Sequence, residues 1–140
     1  MSKIPADFEV MPDLGAFHKL VGPIYFKRTQ SGLIAGLRID ERHQNLGANI
    51  HGGMLTTFVD SAFAYAVRYS QSPPIRGVTT SLSVEFMGVA GAGQWIEAHV
   101  EVMRSGKRVV FVNCHVWRDD ERIARASAVF QVVGPYHEPR

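Results

Sequence analysis

An amide, an imidazole and a carboxylate are spaced closely in the stretch N45-L-G-A-N-I-H-G-G-M-L-T-T-F-V-D60. His51 follows Asn45 by six positions and Asp60 follows His51 by nine. Together such groups can donate to a carbonyl oxygen, orient a reactant, and take a proton or attack directly. Gly52 and Gly53, directly after His51, allow a ligand or another backbone to approach closely. If a helix opens there, its first turn presents unsatisfied N–H groups and the positive end of the helix dipole. Both stabilise charge on a polarised carbonyl oxygen. A plainer reading is equally open at this level: His51 caps the helix and Asp60 is a solvated helix residue.

The element that must position these groups is that helix. No Pro or Gly interrupts after Gly53 until Arg68, and the expected helix runs from about Gly52 to Ser70. Leu55, Phe58, Val59, Ala62 and Ala66 form an apolar stripe at a period of about 3.6 residues. Asp60 lies off the axis of that stripe, near Thr56, Ala64 and Val67. A carboxylate two turns into a mostly buried helix is costly without a partner or a task. Gly53 and Asp60 lie about 10 Å apart along the helix axis, and side chains lean back by only a few ångströms. If both act on one small reacting centre, one must come from a second copy of the chain. That would be a two-fold dimer with two equivalent sites.

The rest of the chain is read around this helix. Its 140 residues suit one domain, taken as 1–140, with residues 1–10 frayed or draped. Composition is ordinary for a globular protein, at 46% apolar and 20% charged residues. No apolar run is long enough to span a bilayer, and M1-S-K-I-P-A-D-F-E-V lacks the apolar region of a secretory signal. A single cysteine, Cys114, excludes an internal disulfide and suits a reducing, cytoplasmic compartment. It falls in the apolar run V109-V-F-V-N-C-H-V-W, as a buried thiol would. A net charge of +2, with basic residues dispersed, does not indicate nucleic acid.

In chain order, M11-P-D-L-G-A-F-H-K-L-V reads as a short helix with Pro12 near its first turn. I24-Y-F-K-R and L33-I-A-G-L-R-I-D read as a hairpin turning at Ser31-Gly32, and E41 to N49 as a polar loop. Pro73 and Pro74 stop the long helix. Four hairpin-linked strands are expected after it. Leu82, Val84 and Phe86 share one face of the first of these, and Ile96, Ala98, Val100 and Val102 one face of the second. G88-V-A-G-A-G93 connects those two. R104-S-G-K-R108 and D119-D-E are turns, and R122 to V133 is the last strand. A long helix with an antiparallel sheet is an α+β pattern.

Other chemistry finds little support. The six histidines never fall in metal-ligand spacing, no cysteine pairs with them, and no metal is expected. Ser61 is not in a G-x-S-x-G elbow, and there is no dinucleotide fingerprint or P-loop.

The Asn45, His51-Gly52-Gly53, Asp60 spacing, followed by D60-S-A-F-A-Y-A and the strand order above, closely resembles the active-site segment of hotdog-fold acyl-CoA thioesterases. The likeness is to the phenylacetate-pathway (PaaI-type) branch, which includes thioesterase-superfamily-member-2-like enzymes, and it extends from Gly15 to Val133. The resemblance implies an antiparallel sheet wrapped around one central helix. It implies that the Gly53 N–H and Asn45 polarise the thioester carbonyl, while His51 shapes the loop and contacts the thioester or the leaving sulfur. It makes Asp60 of a second subunit the general base or the nucleophile. Thr79, or Thr80 if the register slips by one, would help orient the attacking water. Gly52, Phe86, Met87 and Gly88, with the basic turn residues Arg104, Lys107 and Arg108, would hold an acyl-CoA or aryl-CoA. No cofactor is implied beyond the CoA of the substrate, and the assembly implied is a homodimer or a dimer of dimers. Phe63, Tyr65, Phe86 and Trp95 would either line the acyl pocket or fill the core. Two rivals are a hotdog enoyl-thioester hydratase and a non-catalytic acyl-CoA binder.

Overall fold

Residues with a period of two build a sheet and those with a period near four build the helix that the sheet surrounds. In the computed structural model, which describes residues 3–12 and 15–138, the elements follow in this order. They are β1 (Glu9–Val10), α1 (Ala16–Val21), β2 (Tyr25–Arg28), β3 (Gly32–Arg38), a 3-10 turn (Glu41–His43), α2 (Gly52–Arg68), β4 (Ile75–Phe86), β5 (Trp95–Ser105), β6 (Val109–Arg118) and β7 (Glu121–Pro135). All strands join one antiparallel sheet in the order β1-β2-β3-β5-β6-β7-β4. α2 packs across its inner face, which gives the α+β hotdog arrangement expected.

The core is the seam between α2 and the sheet. Leu55, Phe58, Val59, Ala62, Phe63, Ala66 and Val67 of α2 are buried. They meet Leu33, Ala35 and Leu37 of β3, Ile96, Ala98 and Val100 of β5, and Val110, Val112, Cys114 and Val116 of β6. β7 contributes the small residues Ala124, Ala126 and Ala128, which leave room for the helix. Burying each large apolar side chain stabilises the fold by roughly 1.5–3 kcal/mol. Cys114 belongs to this seam, and burial pushes the pKa of its thiol up to about 12, so it is an inert packing residue.

The four last strands are not linked as a run of hairpins. β5-β6-β7 is a meander, but β4 pairs with β7 at the sheet edge, and residues 87–94 carry the chain across to β5 beside β3. Alternation in a strand specifies its buried face and says nothing about its neighbour, which is why the sequence did not show the crossover. Other boundaries also shift. α1 begins only at Ala16 with Gly15 as its cap, so Pro12 stands outside it. Asp13 and Leu14 of the expected helix lie outside the described residues. Gly32 starts β3 instead of closing the turn. Glu9 and Val10 pair with Phe26 and Tyr25, so the N-terminal segment contributes an edge strand. α2 ends at Arg68, just before Tyr69.

Candidate active site

α2 opens out of a braced loop. Asp40 caps the 3-10 turn, accepting from the Arg42 N–H at 3.0 Å while its own N–H donates to His43 Nδ1. The His43 ring is buried and its Nε2 bonds Val21 O at 2.7 Å. Burial pushes the Asp40 carboxyl up, but the Arg42 hydrogen bonds and the charges of His43 and Arg42 outweigh it and hold the carboxyl below its ordinary range. Arg42 also bonds Leu20 O and Gly22 O, which ties the loop to the end of α1. None of this bracing was expected from the sequence, which reads E41 to N49 as a polar loop.

Asn45 closes the loop on itself. Its Oδ1 accepts from the N–H groups of Gly47 (2.9 Å) and Asn49 (3.2 Å). Those bonds orient the amide so that Nδ2 is the outward donor. His51 caps α2: its Nδ1 accepts from the Gly53 N–H at 2.9 Å. The ring proton then sits on Nε2, a donor on an exposed side chain. The cap reading of His51 therefore holds, and it occupies the Gly53 N–H that the resemblance assigned to the carbonyl. Among the described residues the Gly52 N–H has no acceptor. Asn45 and His51 line one open concavity with Gln44, Leu46 and Gly47.

The crossing segment brings the end of β4 to this place. Ile50 N–H donates to Ala90 O at 2.7 Å, and Ala92 N–H to Gln44 Oε1 at 2.9 Å. The Phe86 ring lies over Gly52, where an added Cβ would come within 3.5 Å of it. Met87 and Gly88 both donate to Ile123 O, and a Cβ at Gly88 would lie only 2.8 Å from Ile123 Cγ2. Leu46 in the lining of the concavity and Phe86 beside Gly52 are exposed, as are Met87 and Val89 of the crossing segment. Leu46 and Val89 were not singled out in the sequence; an apolar residue within a polar loop was the signal available.

Asp60 is half-buried on the flank of α2 that faces β4. Thr79 Oγ1 donates to Asp60 Oδ1 at 2.8 Å, and the second carboxylate oxygen has no partner among the described residues. Thr80 points the other way and bonds Val129 O at 2.9 Å. This fixes which threonine meets the carboxylate. Within one chain, the Asp60–Thr79 pair stands about 10 Å along the helix from Gly53.

The basic turn is elsewhere. Ser105 and Gly106 bond Ser70 and Gln71, just beyond the C-terminal end of α2. Arg104, Lys107 and Arg108 therefore lie at the opposite end of the helix from Gly52. Of the aromatics considered for an acyl pocket, Phe63 and Tyr65 are buried core residues, Trp95 is half-buried and Phe86 is exposed.

The model of the "Thioesterase superfamily" matches residues 47–125, more than half of the chain. A Pseudomonas aeruginosa protein carrying a provisional esterase name is 35% identical over 133 residues, covering 94% of this chain and 99% of that one. Acyl-coenzyme A thioesterase 13 of Homo sapiens is 26% identical over 98 residues, 69% of each chain. The E. coli PaaI protein from the phenylacetic acid degradation operon superposes with a TM-score of 0.77 at 22% identity, covering 87% of each chain. At that identity the superposition speaks for the fold, and the sequence matches speak for the family. The chain belongs to the thioesterase superfamily, as a hotdog-fold thioester hydrolase.

Proposed function

We propose that the chain hydrolyses an acyl- or aryl-CoA thioester at a site assembled from two subunits. The observation that carries this is the Asp60 carboxylate, held at one oxygen by Thr79 and open at the other, on a half-buried helix face. A carboxylate so placed can take a proton from water or attack the carbonyl directly. The carbonyl oxygen would sit at the start of α2 and accept from Asn45 Nδ2 and the Gly52 N–H. The Gly53 N–H joins only if the carbonyl displaces or shares the His51 cap. The His51 Nε2–H faces the leaving sulfur.

The two halves of this chemistry need a second copy to meet. β4 is the bare edge of the sheet, twelve residues long, and a long free edge is a template for pairing with another chain. Thr79 lies on that edge and Asp60 behind it. Edge-to-edge pairing of two copies would set the Asp60–Thr79 pair of one beside the helix start of the other. The domain is taken as 1–140 and the site of action as cytoplasmic. CoA enters as part of the substrate with no further cofactor. No described helix is long and apolar enough to cross a membrane.

The test is free-thiol release from a panel of short, medium and long acyl-CoA and aryl-CoA esters. Release from one class above the others identifies the acyl group. Loss of enoyl absorbance without thiol release would instead select the hydratase chemistry, and no release from any ester would end the CoA reading.

A further inference from the structure

A cavity of about 320 Å³ opens between the β2–β3 hairpin and the C-terminal end of α2. It lies about 24 Å along the helix from Gly53, and its use does not depend on the catalytic reading. We propose that it is a binding site for a small organic carboxylate with a flat or short apolar body.

The argument begins with Arg28. It stands opposite Leu33, which is buried against α2, so the pleat turns Arg28 toward the helix as well. Its guanidinium lies 4.4 Å from the centroid of the Tyr69 ring, which orients the planar group. No carboxylate comes within ion-pair distance of it among the described residues. Glu101, across from Gly32, projects from the opposite face of the sheet. Asp7 and Glu9 line the adjoining groove, whose wall Lys27, Arg28 and Tyr65 share. A second guanidinium, that of Arg68, lies 5.6 Å from the Tyr65 ring and adds positive charge nearby.

The lining is amphipathic. Leu33, Ala66 and Val102 supply apolar wall, while Arg28 and the tyrosines Tyr65 and Tyr69 supply polar groups. Burial and the neighbouring Tyr69 push the Tyr65 phenol up, so it stays an O–H donor. A guanidinium fork matches a carboxylate in two parallel bonds. A helix C-terminus normally repels an anion. Here the Tyr65 carbonyl accepts from Tyr69 N–H, and the Val67 carbonyl from Ser70 N–H and Oγ, so these last acceptors are already satisfied.

The experiment is an NMR titration of the isotopically labelled full chain with sodium benzoate, benzamide and inorganic phosphate. The proposal expects saturable shifts at the amides of Ser31, Gly32, Tyr69 and Ser70 with benzoate. Benzamide, the uncharged isostere, and phosphate, which lacks the apolar body, should each bind at least about tenfold more weakly. Arg28→Gln should weaken benzoate by about tenfold or more, with the melting temperature as control. Should that variant fail to fold, Ser31→Glu, an exposed turn substitution that adds negative charge at the mouth, must weaken benzoate instead. Shifts confined to residues 45–53 would overturn the proposal. So would phosphate binding as tightly as benzoate, or benzoate binding unchanged in whichever variant folds.

Discussion

At its N-terminal end α2 emerges from a loop, and at its C-terminal end it runs into two hairpins. Among the described residues the first end presents donors without acceptors, Asn45 Nδ2, the His51 Nε2–H and the Gly52 N–H, beside the exposed Leu46 and Phe86. At the second end Tyr69 and Ser70 close the Tyr65 and Val67 carbonyls, and Ser70 and Gln71 tie down the β5–β6 turn. Among the described residues, what stands there without an ion-pair partner is side-chain charge, from Arg28, Arg104, Lys107 and Arg108. The contrast separates two tasks. Unpaired backbone and amide donors suit a charge that develops during reaction, whereas flexible surface cations suit a charge already present on a ligand.

The largest effect should come from the carboxylate between the two ends. Asp60→Asn keeps the shape and the Thr79 contact but removes the carboxylate proposed as base or nucleophile. Turnover should fall about 10²–10⁴-fold, with circular dichroism unchanged. Near-normal turnover would take Asp60 out of the mechanism. Thr79→Val, which removes one hydrogen bond to a charged group, should cost about ten- to a hundredfold. Thr79→Ser should restore most of that loss, because it returns the hydroxyl.

A mixture of two inactive variants tests whether the halves belong to different chains. Asn45→Ala and Asp60→Asn chains, refolded together in equal amounts, form mixed dimers in which one of the two sites is intact. Half the dimers are mixed, so activity should recover to about a quarter of normal. If the site lies within one chain, the mixture stays as inactive as its parts. A fully active monomer by light scattering would also remove the two-subunit site.

His51 sharpens the account of the donor end, because its cap and its proposed catalytic role can be separated. His51→Ala should lose about 1 kcal/mol of stability, as lost caps do. His51→Asn supplies a good cap and should melt near the parent. If Nε2–H contributes to catalysis, both variants lose activity alike despite their different stabilities. Activity that follows stability would reduce His51 to a cap.

How much of this was legible in the sequence differs by element. The α2 stripe was plain because Leu55, Phe58, Val59, Ala62 and Ala66 repeat with the helical period, and all are buried. The inner face of β5 was plain for the corresponding reason. The neighbours of β4 were not, since alternation fixes a face and leaves pairing open. In the site, the motif brought Asn45, His51 and Asp60 to attention, and the rise per residue of a helix is enough to separate Gly53 from Asp60. The choice of Thr79 over Thr80 required the β4 register, which pairs Thr79 with Phe130 and Ser81 with Val129 and leaves Thr80 as the extra residue of a bulge, a feature that strand alternation does not reveal. The His51 cap was one of two open readings, and the bond to Gly53 that selects it depends on a rotamer that spacing cannot specify. That the basic turn reaches the C-terminal end of α2 was not visible either, because distance along a chain says little about which end of a helix a hairpin tip meets.

That turn gives the smallest and most discriminating prediction. Ser70 and the Ser105 beside the turn bond each other at 2.8 Å, so the turn stands about 25 Å from Gly53 along its own helix. A CoA whose thioester lies at Gly52 could meet Lys107 and Arg108 only from a second copy. Neutralising both as Lys107→Gln and Arg108→Gln should then raise KM a few-fold and leave kcat unchanged, because exposed contacts are each worth under about 1 kcal/mol. Raising the salt should shrink the effect. It should vanish for a pantetheine thioester, which lacks the 3′-phosphoadenosine and has nothing for the cations to hold. If the variant loses activity equally on both substrates and its melting temperature drops, the turn serves the fold through Ser70 and Gln71. The nucleotide would then be bound at the donor end alone.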